Sequence, residues 1–110
     1  MKELSTSQLK RKRKQLLHKL PALDAVLRGS LIERYKRCGK PGCKCANGQG
    51  HGPKYYLSVS RTGAHPAMDY VPQSMQEQAA QYLANYRTIR DILDQLCAIN
   101  QELMRRRERF

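Results

Sequence analysis

Hydrophobic positions change their period twice along the chain, and the changes mark three kinds of element. Over residues 4–20, Leu9, Leu16 and Leu20 share one helical face. Ser5, Thr6 and Ser7 are good N-cap residues, and Gln8, three after Ser5, has capping-box spacing. Between Leu9 and Leu16 the same face carries Lys12 and Arg13. The pattern therefore predicts a helix whose first half projects, while Leu16, Leu17 and Leu20 dock. Pro21 suits the first turn of a second short helix over residues 21–28, with Gly29 at its C′ position.

From residue 30 the pattern turns to short runs rich in β-branched and aromatic residues. SLIERYK (30–36), KYYLSVS (54–60) and PAMDYV (66–71) each read as a strand. Arg61 to His65 form a turn of hairpin length, with Gly63 available for positive φ. Tyr55 and Tyr56 are neighbours, so one of them faces out of the sheet. A sheet this small cannot build a core alone, so a helix must cover one face.

Residues 73–108 read as one long helix entered through Pro72, with Ser74 as cap and Glu77 three later. Tyr86, Leu93 and Asn100 fit heptad a positions; Tyr82, Ile89, Leu96 and Leu103 fit d. Ile92, Ile99, Cys97 and Met104 widen the stripe, and Cys97 reads as a small buried hydrophobe. The seam predicts a homodimer through residues 79–104; packing on the N-terminal helices of the same chain competes with it. The fold class is α+β: N-terminal helices, a three-stranded antiparallel sheet that needs a staple, and a long C-terminal helix. Along the chain this gives a basic helical arm (1–28), a stapled β-module (29–72) and a C-terminal helix (73–110), within one domain.

Composition explains the need for a staple. The chain has 110 residues, no Trp and one Phe, so its core is thin and calls for a metal or a partner. No apolar run approaches the ~18 residues of a membrane span, and the N-terminus lacks the apolar stretch of a secretory signal. The expected location is cytoplasmic, where cysteines serve as ligands or buried thiols.

Cys38, Cys43, Cys45 and His51 fall within 14 residues of a glycine-rich loop. Three thiolates and an imidazole suit a closed, tetrahedral, structural Zn2+ site, which makes the three-stranded sheet zinc-stapled and residues 29–72 a zinc-binding β-module. His51 closes the loop and is preferred as fourth ligand over His65, His18 and Cys97. The expected protein is not an enzyme: the chain lacks the deaminase, metalloprotease, P-loop and hydrolase-elbow motifs, and a four-ligand zinc leaves no position for water.

The net charge is +12, from 21 basic and 9 acidic residues. That excess points to an acidic partner, nucleic acid first; solubility alone is the rival explanation. Lys10, Arg11, Lys12, Arg13 and Lys14 form one patch, and Arg34, Lys36, Arg37, Lys40, Lys44 and Lys54 flank the cysteine loop. A third run, Arg105 to Arg107 with Arg109, is accounted for by its place at a helix C-terminus. An outward Tyr beside Lys54 can stack on an unpaired base, although both tyrosines could instead pack on the helices.

GSLIERYKRCGKPGCKCANGQGHGPKYYLSVS, followed by Gly63, Tyr70-Val71-Pro72 and NYRTIRDILDQL, resembles a family of short bacterial, archaeal and phage proteins grouped as a domain of unknown function. Its pattern is CGKPxCxC…HGPYYYLS…YVP. The resemblance covers about residues 28–107; Cys38, Cys43, Cys45 and His51 match it, and Lys54 stands where the family has Tyr. The basic N-terminus lies outside it. The resemblance implies an accessory or regulatory companion of mobile elements. The leading expectation is a non-enzymatic zinc module binding nucleic acid, DNA before RNA. A zinc-stapled oligomerisation adaptor is the alternative, and a thiol enzyme stands third.

Overall fold

The computed structural model describes residues 1–36 and 51–110. Its elements are α1 (Thr6–His18), β1 (Ser30–Lys36), β2 (His51–Val59), β3 (Ala67–Val71), a 3-10 turn (Gln73–Met75) and α2 (Gln76–Arg105). The class is α+β, with one N-terminal helix, an antiparallel sheet and a long C-terminal helix. The chain divides into a sheet unit, Leu27–Leu83, and a helical unit, Met1–Val26 with Ala84–Phe110.

In the sheet unit the strands lie in the order β1-β2-β3. Leu57, Val71 and Leu83 form the core, packed by Leu27, Leu31, Tyr55, Val59 and Ala79. Ala79 and Leu83 belong to the first turns of α2, so the helical cover expected for one face comes from there. Gly29 makes the entry into β1 possible. Its φ is +127°, and a Cβ there would lie 2.5 Å from the Ser58 carbonyl oxygen. At the other end of the β1–β2 ladder, Arg34 pairs with Lys54 but Lys36 pairs with His51. β2 thus contributes one extra residue across this step, a bulge that accommodates Pro53 in a central strand. The bulge explains why β2 begins at His51 and not at Lys54 as the pattern predicted. Gly63 adopts φ +69° in the β2–β3 turn, as expected. Arg61 Nε donates to the His65 carbonyl across that turn at 3.0 Å.

In the helical unit α1 runs antiparallel to the later turns of α2. Arg106 reaches the Met1 and Lys2 carbonyls, Arg13 reaches Asn100, and Asn85 reaches the Ala25 carbonyl. Rising numbers on one side meet falling numbers on the other. The core is Leu9, Leu16, Ile92, Ile99 and Leu103, with Leu4, Leu20 and Leu96 against it. Ser5 caps α1 as predicted: its Oγ accepts from the Gln8 N–H at 3.1 Å, and Gln8 Oε1 accepts from the Ser5 N–H at 2.7 Å.

Several expectations are corrected. The first half of α1 does not project, because Leu9 is fully buried. Arg13 is accommodated half-buried between Leu9 and Leu16 because its guanidinium donates to Asn100 Oδ1 at 2.8 Å. Leu17, expected to dock, is 52% exposed. Residues 21–28 are not a helix. Ala25 N–H bonds the Ala22 carbonyl in a single turn, the Ala25 carbonyl accepts from Asn85 Nδ2, and the Leu27 N–H donates to the Tyr82 carbonyl. Backbone groups that a helix would pair internally are paired with α2 instead. Ser74 is not a helix cap; it lies inside the 3-10 turn, and α2 begins at Gln76.

The seam of α2 is also rotated from its heptad reading. Ile92, Leu96, Ile99 and Leu103 face α1, while Leu93 is 50% exposed and Cys97 is exposed. Asn100, read as a register-setting position, is taken by Arg13 of the same chain. The seam thus packs at least partly within the chain. The helix ends with Arg107 at φ 58°, its N–H on the Met104 carbonyl and the Glu108 N–H on the Leu103 carbonyl. This is a Schellman closure with arginine where glycine is usual.

Glu102 is buried and accepts from Arg106 Nε at 3.2 Å, with Arg105 at 3.5 Å. The hydrogen bond from Arg106, followed by the charges of Arg106 and Arg105, holds its pKa below the ordinary carboxylate value against the effect of burial. A depressed folded-state pKa stabilises the fold fully above the unfolded-state value, and that contribution is lost as pH falls through the folded-state value. Replacing Glu102 with Gln should therefore lower the thermal midpoint at about pH 7, with the gap from the parent closing in acid, below the ordinary carboxylate range. Gly29→Ala should cost about 2 kcal/mol or more, read as a lower urea midpoint, because strained φ and a backbone clash combine.

Candidate nucleic-acid interface

Alternation along β2 decides what each sheet face carries. Tyr55, Leu57 and Val59 point into the core. Lys54, Tyr56 and Ser58 therefore occupy the opposite face. The register aligns Ile32, Tyr56 and Tyr70 in one row across the three strands. Arg34 and Lys54 flank that row on one side, and Ser30, Ser58 and Met68 on the other.

The Tyr56 and Tyr70 rings are 5.8 Å apart at 65°, an edge-to-face pair. Arg34 Cζ lies 6.0 Å from the Tyr56 ring centroid, within cation–π reach. Tyr70 is 55% exposed, and Arg34 and Lys54 are exposed. The two strand carboxylates lie on the other face, since Glu33 pairs with Tyr55 and Asp69 with Leu57. Glu33 also accepts from the Tyr35 hydroxyl at 2.7 Å, which raises the Tyr35 pKa. Among the described strand residues, the outer face thus holds Arg34 and Lys54 and no carboxylate. Beside Lys54 and Tyr70 a concavity of about 520 Å³ opens, lined also by Tyr55, Gln73 and Gln76.

In the helical unit, burial of Leu9 and Leu16 turns Arg11, Lys12 and Lys14 outward. Lys10 is half-buried, and Arg13 is engaged by Asn100. Among the described residues no ion pair joins Lys10, Arg11, Lys12 or Lys14 to a carboxylate.

The remaining expected residues divide differently. Arg37, Cys38, Lys40, Cys43, Lys44 and Cys45 lie outside the described residues. Lys36 and His51 are backbone partners, so the two ends of the cysteine segment stand side by side on neighbouring strands. Among the described residues no three His, Cys, Asp or Glu side chains come together. His18 and His65 are both exposed.

Tyr70 and Met68 escaped the sequence reading. The signal was available in the length of the 61–65 turn, which sets the register that puts Tyr70 beside Tyr56. No described helix is long and apolar enough to cross a membrane.

No curated protein and no solved structure matches the chain. The family match begins at residue 6, so it takes in α1 and its basic run, which the motif resemblance had left outside, and it ends at residue 81, early in α2. With residues 6–81 matched, well over half its length, the chain belongs to the family described as Domain of unknown function (DUF6788).

Proposed function

We propose that this chain is a non-catalytic zinc module that binds nucleic acid, DNA foremost. The observation that carries the reading is a set of exposed cations that pair with no acidic side chain among the described residues: Arg11, Lys12 and Lys14 on α1, and Arg34 and Lys54 on the sheet. Like charges at this density repel, and a phosphate backbone relieves them while releasing its own counterions.

The zinc part rests on donor chemistry. Cys38, Cys43, Cys45 and His51 supply a complete tetrahedral set from one short segment, and the Lys36–His51 pairing supports a closed loop at its ends. Such a site would staple the sheet and supply no reaction. A second reading, self-association, is favoured by Leu17, Leu93 and Met104, each at least half exposed.

Fluorescence anisotropy against a labelled duplex should give log K falling with log salt at a slope of about −4 to −5, from about five phosphate contacts. Arg11, Lys12 and Lys14 changed together to Gln should weaken binding and flatten the slope by about 3. Salt-independent binding, or none, on any DNA or RNA, duplex or single strand, removes the reading. Native mass spectrometry should find one zinc per chain, lost on Cys43→Ser, and the same spectrum reports subunit number. Metal-free protein that melts like the parent in chelator would refute the staple.

A further inference from the structure

We infer that the outer face of the sheet is a stacking platform for unpaired bases, so the preferred ligand is a single strand and not a duplex. The inference rests on the nucleic-acid reading above and narrows its ligand.

Rings on this face are not needed to fill the core. Ala79, Leu83 and Leu27 cover the opposite face, where Leu57 and Val71 are buried. A cross-strand tyrosine pair stabilises a sheet modestly, by roughly 0.2–1 kcal/mol, and leaves its exposed ring surface unexplained. Tyr70 keeps 55% of its surface in solvent.

The surroundings specify an anion with flat, apolar parts. Arg34 and Lys54 form the row alongside Tyr56 and Tyr70, and the carboxylates Glu33 and Asp69 are turned to the far side. Phosphates fit the first feature and bases the second. In a duplex, base faces are buried against one another and cannot reach a ring. At 65° the two rings cannot both lie parallel to bases that remain stacked on each other, so they fit bases that have splayed apart. The concavity beside Tyr70 adds the Gln73 and Gln76 amides, which can donate to and accept from the edge of a base held there.

The test uses the full chain with labelled oligo-dT, oligo-rU and a hairpin duplex of equal phosphate number, at one salt concentration. Both single strands should bind more tightly than the duplex, and the ratio between them assigns the sugar. Tyr56→Leu and Tyr70→Leu, which keep an apolar cross-strand contact, should each weaken single-strand binding about tenfold or more. Duplex binding should stay unchanged, and Tyr70→Phe should retain parent affinity. On the unmodified protein, photo-crosslinking to an oligonucleotide bearing 5-iodouracil should label peptides containing Tyr56 or Tyr70. Parent-like single-strand affinity in both Leu variants, or crosslinks that avoid both tyrosines, overturns the platform while salt-dependent binding keeps the broader reading. Loss of all binding to all three probes removes both.

Discussion

A three-stranded sheet has two faces, and the apolar helix surface packed on this one covers a single side. The first turns of α2 and Leu27 seal the face holding Leu57 and Val71. Everything proposed for the outer face follows from that asymmetry. Side chains alternate, so residues excluded from the core must stand together on the other surface. Here they are aromatic and cationic, while the carboxylates fall on the sealed side.

The helical unit meets a different difficulty, which is to dock a helix whose sequence is mostly basic. It does so by separating neighbours. Leu9 and Leu16 enter the core, Arg13 between them finds an amide oxygen on Asn100, and Arg11, Lys12 and Lys14 are left to solvent. Charge that would oppose packing is either paired or turned outward. The same economy appears at the end of α2, where buried Glu102 is held by Arg106, which also reaches carbonyls near the start of α1.

Much of the local structure was legible because it is written in short-range chemistry. The Ser5–Gln8 box, the β1 span, the positive φ of Gly63 and the long final helix each depend on a few adjacent residues. The failures share a longer-range cause. Apolar residues on α2 occupy more than one face, so periodicity alone could not choose between Leu93 and Ile92 as the buried position. Only the approach of α1 decides it. Residues 21–28 carry helix-like signals, but their carbonyls and amides are satisfied by Asn85 and Tyr82, some sixty positions away. Ser74 lost its capping role because the chain leaves Pro72 through a tighter turn. The site was half legible: Arg34, Lys54 and an outward tyrosine came from alternation, whereas Tyr70 needed the β2–β3 register, which the 61–65 turn sets and alternation within one strand does not. The cysteine set was read from spacing, and it lies outside the described residues.

The bulge at Pro53 gives the sheet an uneven zipper. Proline brings no amide hydrogen to the ladder, and the step between Arg34 and Lys36 breaks its regular rhythm, so the β1–β2 ribbon is held less firmly there than beside Gly29. Fraying should start from the end where the cysteine segment begins and finishes. A cation gripped by that segment would act as a clasp on the looser end, and its presence would be felt first as slower amide exchange around Lys36 and His51.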